Sequence, residues 1–387
     1  MSVAARRTPE ARAPRSEFLS TLMVHQRVAH QNQWQTPGRD AHLVGRLRRL
    51  VSETVRGLAT RVGYGERGAS TSVTSEDAAF ITAHLAEFEW LYTRLADDAS
   101  RGVLLALLRA RLLGQPYSHP TRSQAAYRQT QQRTKATSLV EVDTRRPWVP
   151  YLNRYCLNRA GGKMVVQAKE PALLHTAVLE QYAYRHGTTS ICAQPGDTII
   201  DGGSHHGVAA LHFADRVGAA GHVYAVEMEA GNAALVGENL VLNPRLEGRI
   251  TVIERALNDE SGDRVLYRPH GPATTAVRID QWGTLSAVSE TISVDDLVEQ
   301  QGIRRLDLLK FDIDGWEHRV LTGARRTLTT LRPSLAISVA HSLADLVSIP
   351  TLLDELTDDY ALFLEDVTPE GTHPILFGRP VAGMARR

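Results

Sequence analysis

Four side chains that could do chemistry each follow a short apolar or β-branched run in the sequence. They are Asp201, Glu227, Asp312 and His341. A histidine with an ordinary pKa is a workable proton acceptor at neutral pH, and a neighbouring carboxylate can fix its tautomer and stabilise its charged form. A carboxylate at a strand end can instead accept the protons of a cis-diol such as that of ribose. The pattern favours a site that combines diol binding with proton transfer.

The elements that must position these side chains alternate along the chain. Buried strands are predicted at 198–200, 222–227, 250–253, 306–312 and 335–339, with helices over 208–214 and 233–243. Alternating strands and helices imply right-handed crossovers and a parallel sheet. Ligands of such a sheet bind at the carboxyl ends of its strands, where the four side chains fall. The predicted fold class is therefore α/β.

A glycine-spaced loop follows the first of these strands. Its spacing is D-x-G-x-x-x-G, through Asp201, Gly203 and Gly207, with Ser204 between the glycines. Glycines let a backbone approach a ligand closely, and the N–H groups at a helix start can face it. The spacing differs from the G-x-G-x-x-G of nicotinamide dehydrogenases. It resembles the first motif of class I S-adenosylmethionine-dependent methyltransferases.

Several segments together resemble the FkbM family of methyltransferases. They are the loop at 201–207, Glu227, the run at 294–297, the stretch Lys310-Phe311-Asp312-Ile313-Asp314-Gly315-Trp316-Glu317, the segment at 335–341 and the lead-in at 180–185. The resemblance covers residues 170 to 380. Two departures stand out: Asp314 replaces the usual Glu, and His205 and His206 replace the commoner Asn and aliphatic pair.

The resemblance implies a Rossmann-like class I methyltransferase sheet with helices on both faces, and S-adenosylmethionine as the cofactor. Glu227 would hold the ribose hydroxyls and the region around Ala256 would border the adenine. Tyr182 would lie over the cofactor, since an aromatic face attracts a cation by about 0.5–2 kcal/mol, or would only pack in the lead-in segment. The implied cofactor-binding residues are Tyr182, Asp201, Gly203, Ser204, Gly207, Glu227, Ala256 and Asp312.

His341 and Asp312 are the predicted catalytic residues, because they follow adjacent strands of the expected sheet. The alternative is that Asp312 caps the turn at Gly315 while His341 is an ordinary surface histidine. Lys310 lies on the same side of its strand as Asp312 and is expected to pair with it. Asp312, Asp314, Glu317 and His341 also offer metal ligands, but their spacing is not dense, so metal dependence stays open.

The predicted activity is O-methylation of a hydroxyl on a small molecule, and the family suggests a sugar or a polyketide in specialised (natural-product) metabolism. An alkyl hydroxyl needs a positioned base for such a reaction. Methylation at nitrogen or carbon, and a non-catalytic cofactor-binding or scaffold role, are the alternatives. A base methyltransferase of nucleic acids would carry an Asn- or Asp-Pro-Pro-aromatic signature, where this chain has Asp312-Ile313-Asp314-Gly315.

Composition limits the remaining possibilities. The chain has 387 residues, of which 43% are hydrophobic and 22% charged, as in an ordinary globular protein. A net charge of +1, without basic blocks interleaved with aromatics, predicts no nucleic-acid partner. No apolar run reaches the ~18 residues of a membrane span, and no secretory signal is visible. The only cysteines are Cys156 and Cys192, which favours a reducing cytoplasm.

The N-terminal part is predicted to be separate from the sheet domain. Residues 1–18 are expected to be a disordered arm, 19–165 a helical cap and linker, and 166–387 the methyltransferase domain. Helical spacing of apolar residues marks 41–62, 81–95 and 104–112. The leucines of 104–112 need a surface that covers them, so we expect these helices to cap the domain and to support a homodimer.

Overall fold

The computed structural model describes residues 75–113, 119–120, 122–145, 149–267, 276–277, 287–357 and 359–381. The predictions of an arm at 1–18 and a helix at 41–62 lie outside these residues. Within them, no helix is both long enough and apolar enough to span a bilayer.

The first half of the described chain begins with helices and continues with short strands. Its elements are α1 (Ser75–Ala83), α2 (Leu85–Arg94), α3 (Asp98–Leu113), α4 (Gln124–Lys135), β1 (Ser138–Asp143), β2 (Tyr151–Arg159), β3 (Gly162–Ala168), a helical turn (Glu170–Ala172), a π-helix (Leu173–Val178), β4 (Tyr184–His186) and β5 (Thr189–Ile191). Of the leucines predicted to be covered in 104–112, Leu104, Leu105, Leu107 and Leu108 are buried and Leu112 is half-buried. A cap and a homodimer remain predictions.

The second half alternates strands and helices as predicted. Its elements are β6 (Thr198–Gly202), α5 (Val208–Val217), β7 (His222–Glu227), α6 (Ala230–Val241), β8 (Ile250–Glu254), β9 (Ala256–Leu257), β10 (Arg264–Tyr267), β11 (Ala276–Val277), β12 (Ala287–Ile292), α7 (Val294–Gln300), β13 (Leu308–Phe311), α8 (Glu317–Thr322), α9 (Arg325–Thr330), β14 (Ser334–Ser338), α10 (Asp345–Leu356), β15 (Tyr360–Glu365) and β16 (Ile375–Pro380). Short 3₁₀ turns lie at Gly218–Ala220 and Pro244–Leu246.

The chain divides into two compact units. One comprises residues 1–95 and 104–117, and the other comprises 96–103 and 118–387. All of the strands belong to the second unit, so the boundary falls earlier than the predicted one at residue 165. The boundary differs because the segment predicted as a linker contributes β1, β2 and β3 to the second unit.

A seven-stranded sheet organises the second unit, in the order β15-β16-β14-β13-β6-β7-β8. Neighbours from β14 to β8 run parallel, and β16 is antiparallel to both β14 and β15. The β13 strand is buried throughout, as expected for a central strand covered on both faces. This sheet confirms the predicted Rossmann-like α/β fold, to which β15 and β16 add two strands that the sequence did not reveal.

The prediction that residues up to 165 are helix and linker is wrong for 138–165. A three-stranded antiparallel sheet, β1-β2-β3, occupies this segment and its buried residues share the core of the large sheet. In β2, Tyr155 and Leu157 are buried two positions apart, and Leu152 is buried three positions before Tyr155. The two-residue spacing is typical of a strand, but the offset of Leu152 and the polar residues between them obscured the pattern.

The free edge of β3 is closed by side chains rather than by another strand. Asn239 in α6 accepts a hydrogen bond from Gln167 N (2.7 Å) and donates to Gln167 O (3.1 Å). Asn243 bonds Val165 N and Val165 O in the same way. Asn239 also donates to the carbonyl of His206 (2.8 Å), so one amide joins the small sheet to the glycine loop.

Candidate functional site

A cavity of about 570 Å³ opens at the carboxyl ends of β6, β7 and β13. Its volume suits a ligand of nucleotide size together with a second small molecule. The lining draws on the glycine loop, the end of β7, the segment after β13 and the lead-in residues before β4. Of the predicted cofactor-binding residues, Tyr182, Gly203, Ser204, Glu227, Ala256 and Asp312 line it, and so does the predicted catalytic His341.

The glycines of the loop are needed for packing. Gly203 and Gly207 have φ of +76° and +79°, in the left-handed region. A Cβ on Gly203 would lie 2.1 Å from the carbonyl oxygen of Asp312, and one on Gly207 would lie 2.9 Å from a methyl of Val236. The N–H groups of Gly203 and Ser204 both donate to Val226 O at 3.0 Å. These two N–H groups therefore hold the loop to β7 rather than face a ligand.

A buried ion pair lies beneath the loop. Lys310 Nζ is 2.9 Å from Asp201 Oδ1, and it donates to the carbonyls of Gly202 (3.1 Å) and Gly203 (2.9 Å). Lys310 and Asp201 are 1% and 0% exposed, so neither reaches the solvent. The expectation that Lys310 pairs with Asp312 is wrong, because β13 and β6 are paired with Lys310 beside Asp201.

Asp201 therefore acts from behind the loop and is absent from the residues that line the cavity. Its predicted contact with a cofactor remains a prediction. The structure gives it a different task, which is to hold Lys310 and, through Lys310, the carbonyls of the glycine loop.

Glu227 ends β7 and faces the cavity as predicted. Its two carboxylate oxygens accept hydrogen bonds from His205 N (2.7 Å) and Glu229 N (2.9 Å). Burial raises the pKa of Glu227 to about 7, against the opposing effect of these hydrogen bonds. Asn232 lies beside it in the lining, and its buried Oδ1 has no hydrogen-bond partner among the described residues. This end of the cavity thus presents acceptor atoms for hydroxyl or amine protons.

Tyr182 connects the lead-in segment to Asp312, one of the two predicted catalytic residues. It is 6% exposed, and its hydroxyl donates to Asp312 Oδ2 at 2.6 Å. Lys310 Nζ lies 5.0 Å from the centre of its ring. Burial, together with the negative charge of Asp312, raises the pKa of Tyr182 well above its usual range, so the hydroxyl stays a donor. Tyr182 orients the carboxylate of Asp312 and also lines the cavity.

His341 and Asp312 meet as the sequence predicted. His341 Nε2 lies 3.2 Å from Asp312 Oδ1, and their side chains are 24% and 27% exposed, which leaves the pair open to a second molecule in the cavity. Glu317 Oε1 lies 3.1 Å from the same nitrogen, and Asp314 Oδ1 lies 3.9 Å from His341 Nδ1. The imidazole is thus surrounded by three carboxylates.

These carboxylates change the ionisation that the sequence suggested. Burial alone would lower the pKa of His341, but its hydrogen bonds to Asp312 and Glu317 raise it to about 10. Burial would raise the pKa of Asp312, but hydrogen bonding to His341, the charge of Lys310 and the Tyr182 hydroxyl hold it well below its usual range. The expectation of an ordinary imidazole pKa at His341 is therefore wrong for this arrangement.

Glu317, which the sequence offered only as a possible metal ligand, and His205, which it marked only as a departure from the family's loop, also belong to this assembly. Glu317 opens α8, and its Oε1 accepts from Ile313 N at 2.8 Å while its Oε2 is buried without a hydrogen-bond partner among the described residues. His205 lines the cavity with a backbone φ of +50°, stacks on His206, and has a pKa lowered to about 4, chiefly by burial. The sequence indicated Glu317 as one of four possible metal ligands, but nothing in the local pattern indicated its contact with His341.

Part of the sequence that forms this site matches a protein-family model. Residues 201–366, which run from the glycine loop to just beyond β15, match the model described as "Methyltransferase FkbM domain". No curated protein gives a significant match to the chain.

The solved structures that match the chain are distant in sequence. Methyltransferase FkbM from Methylobacillus flagellatus KT shares 19% identity and has a TM-score of 0.49; the match covers 78% of this chain and 60% of that one. A SAM-dependent O-methyltransferase from Thermotoga maritima shares 17% (60% of this chain, 79% of that one, TM-score 0.33). Aeropyrum pernix fibrillarin with bound S-adenosyl-L-methionine shares 14% (59% and 88%, TM-score 0.34).

Proposed function

Because residues 201–366 of the chain match a model of the FkbM methyltransferase domain, we propose that the protein methylates a hydroxyl of a small molecule with S-adenosylmethionine as methyl donor. The observation that carries the proposal is the joining of two sets of groups in one cavity. Glu227 and Asn232 offer acceptor atoms at one part of the lining, while Asp312 and His341 offer a charged, accessible pair at another.

The residues present fit the cofactor. A nucleoside needs acceptors for its ribose hydroxyls, and Glu227 and the unpartnered Asn232 Oδ1 provide them. The apolar side chains of Val226, Ala256 and Leu257 in the lining suit the adenine ring. When bound, S-adenosylmethionine supplies an activated methyl group on its sulfonium. Tyr182, Gly203 and Ser204 are proposed to complete its binding site, and the packing of Gly203 and Gly207 keeps the loop out of the cavity.

Asp312 and His341 are proposed to hold the acceptor hydroxyl and to withdraw its proton; because the pKa of His341 is raised to about 10, the imidazole accepts that proton only after it has released its own. An alkyl hydroxyl is a poor nucleophile until a positioned group weakens its O–H bond, an effect of about 10²–10⁴-fold. Tyr182 and Lys310 fix Asp312 from behind, through a hydrogen bond and through charge. The exposed side of the pair faces the cavity, where a second molecule would enter.

Mass spectrometry of candidate acceptors tests the proposal. Full-length protein would be incubated with S-adenosylmethionine and a panel of hydroxylated sugars, macrolide aglycones, amines and C-nucleophiles, while calorimetry measures cofactor binding. A gain of one methylene mass at an alcohol oxygen supports O-methylation. Methylation of only amines or carbons would overturn the choice of acceptor, and absence of cofactor binding would overturn the whole proposal in favour of a scaffold role.

A homodimer in the cytoplasm, acting in specialised metabolism on a sugar or polyketide, completes the proposal. The spacing of the leucines at 104–112 predicted association, but Leu104, Leu107 and Leu108 are already buried within the single chain, so the dimer rests on the sequence prediction alone. Sedimentation of the full chain would give its mass in solution. A monomer at micromolar concentration would remove the dimer without affecting the proposed chemistry.

A further inference from the structure

The imidazole of His341 is placed in an unusual way between acids. Its Nε2 lies within 3.2 Å of an oxygen of Asp312 and within 3.1 Å of an oxygen of Glu317. One N–H can point directly at only one of two acceptors, so a proton satisfies this arrangement incompletely. A metal cation placed among His341 Nε2, Asp312 Oδ1 and Glu317 Oε1 could contact all three of these atoms.

The spacing of the three donor atoms suits such a cation. Metal–ligand bonds of about 2.1 Å in an octahedron place neighbouring ligand atoms about 3.0 Å apart. The two measured separations from His341 Nε2 match that distance. The three residues form the one group of potential metal ligands within 4.8 Å of one another in the described part of the chain.

A second observation points to a missing partner. Glu317 is 0% exposed, and its Oε2 is buried without a hydrogen-bond partner among the described residues. A buried carboxylate oxygen normally has a partner, because desolvation without one costs free energy. Its other oxygen touches both Ile313 N and His341, so this side chain points at the cluster.

Neighbouring groups hydrogen-bond to Asp312 and Glu317 and face His341, in the way that residues around a metal centre orient its ligands. Tyr182 donates to the second oxygen of Asp312, and Ile313 N donates to Glu317. The remaining nitrogen of His341 faces Asp314 at 3.9 Å, in the sense of the carboxylate–histidine–metal arrangement. Lys310 makes its direct contacts with Asp201 and two carbonyls, and it acts on Asp312 only through its charge.

We propose that Asp312, Glu317 and His341 bind a divalent cation of the Mn²⁺ or Mg²⁺ type, which holds the acceptor through its hydroxyl and a neighbouring oxygen. Two carboxylates and one imidazole suit such ions, and the exposed side of the cluster leaves positions for oxygen atoms of the acceptor. This inference rests on the proposed methyltransferase function and narrows its acceptors to those with two adjacent oxygen atoms.

The cation would change how the hydroxyl is activated. A hydroxyl bound to a divalent cation releases its proton more readily, as metal-bound water does. The O–H bond breaks with the proton passing to solvent, and the O–CH₃ bond forms as the S–CH₃ bond of the donor breaks. His341 then serves as a ligand, and Asp314 becomes the positioning group for its ring.

Binding of Mn²⁺ to the chelator-treated full chain tests the site. Free Mn²⁺ would be followed by electron paramagnetic resonance, with Mg²⁺ as competitor. We expect one bound ion per chain in the wild type, and an affinity reduced by about 10–100-fold or more in Glu317→Gln and in His341→Gln. His318→Gln is the matched control, since this exposed histidine adjoins Glu317. Unchanged unfolding curves would show that the variants are folded.

The outcomes separate this inference from the proposed function. Equal Mn²⁺ binding in wild type and variants, or no binding up to millimolar concentration, would overturn the cation site. So would full methylation of an acceptor by chelator-treated protein, although methyl transfer itself would then stand. Specific Mn²⁺ binding in a protein that fails to bind S-adenosylmethionine would support the cation site and overturn the methyltransferase proposal.

Discussion

The two ends of the cavity differ in their balance of charge. Around the glycine loop, the charges of Lys310 and Asp201 neutralise each other, and the loop N–H groups are used within the protein. Around His341, three carboxylates meet one imidazole, and the pair with Asp312 stays partly exposed. The loop end, whose charges and N–H groups are already paired within the protein, suits a ligand that is the same in every reaction cycle, such as a cofactor. The His341 end has an excess of negative charge and is accessible, so it suits the groups that take part in the reaction.

Removing the imidazole tests the His341 end and should have the largest effect. We expect His341→Ala to lower methyl transfer by about 10²–10⁴-fold, because the residue acts on the hydroxyl either directly or as a cation ligand. Affinity for S-adenosylmethionine should hardly change, since the interaction is made with the acceptor. Single-turnover rates and calorimetry measure the two quantities. His318→Ala is the control, and a full rate in His341→Ala would show that this end is not catalytic.

Breaking the ion pair tests the loop end. Lys310→Met leaves Asp201 buried without its partner, so we expect unfolding free energy to fall by about 3–5 kcal/mol. The double variant with Asp201→Asn should recover part of this loss, because the unpaired charge is gone. Urea denaturation of both proteins, with the exposed Lys163→Met as control, measures it. A Lys310→Met protein as stable as the wild type would mean that solvent reaches Asp201.

Glu227 distinguishes a binding role from a structural one at the same end. Glu227→Ala should weaken S-adenosylmethionine binding by about 1–3 kcal/mol, the range for a lost hydrogen bond to a charged group. Glu254→Ala is a close control, because Glu254 is exposed and lies opposite Glu227 in the β7–β8 register. Calorimetry of both variants decides the matter. Equal affinities would indicate that Glu227 only holds the backbone N–H groups of His205 and Glu229.

The smallest expected effect concerns pH. Burial raises the pKa of Glu227 to about 7, and hydroxyl donors prefer the ionised carboxylate, so cofactor affinity should rise as pH increases through 7 and level off above it. From pH 6 to 8 the gain should be about tenfold or less, the limit for one proton over the titrating range. The Glu227→Gln variant should lose this component. An identical pH profile in the two proteins would place the titration elsewhere.

The sequence predicted what depends on local pattern. Apolar runs followed by Asp201, Glu227, Asp312 and His341 located four strand ends, and the parallel sheet brought three of these side chains to the cavity lining. Asp201 does not line the cavity, because the strand register determines which residue lies beside it, and that residue is Lys310. Such pairings join residues more than 100 positions apart and leave no periodic signal.

The same limit explains the residues around His341. Glu317 comes close to His341 only because the turn at Asp314 and Gly315, both at positive φ, folds α8 back towards β14. The raised pKa of His341 depends on that contact and so could not be deduced from its residue type. The sheet of β1–β3 was missed for another reason: Lys, Arg and Asn occupy its more exposed positions and, with the buried Gln167, dilute the apolar pattern.

The two asparagines at the edge of β3 have a further consequence for how the molecules behave in a crowded solution. An uncovered strand edge is a template for pairing with another chain. Asn239 and Asn243 satisfy the N–H and C=O groups of Val165 and Gln167 without being a strand themselves. These two amides therefore occupy the hydrogen-bonding groups at the edge of β3, which blocks β-pairing with another molecule through that edge. Asn239 also holds the loop at His206.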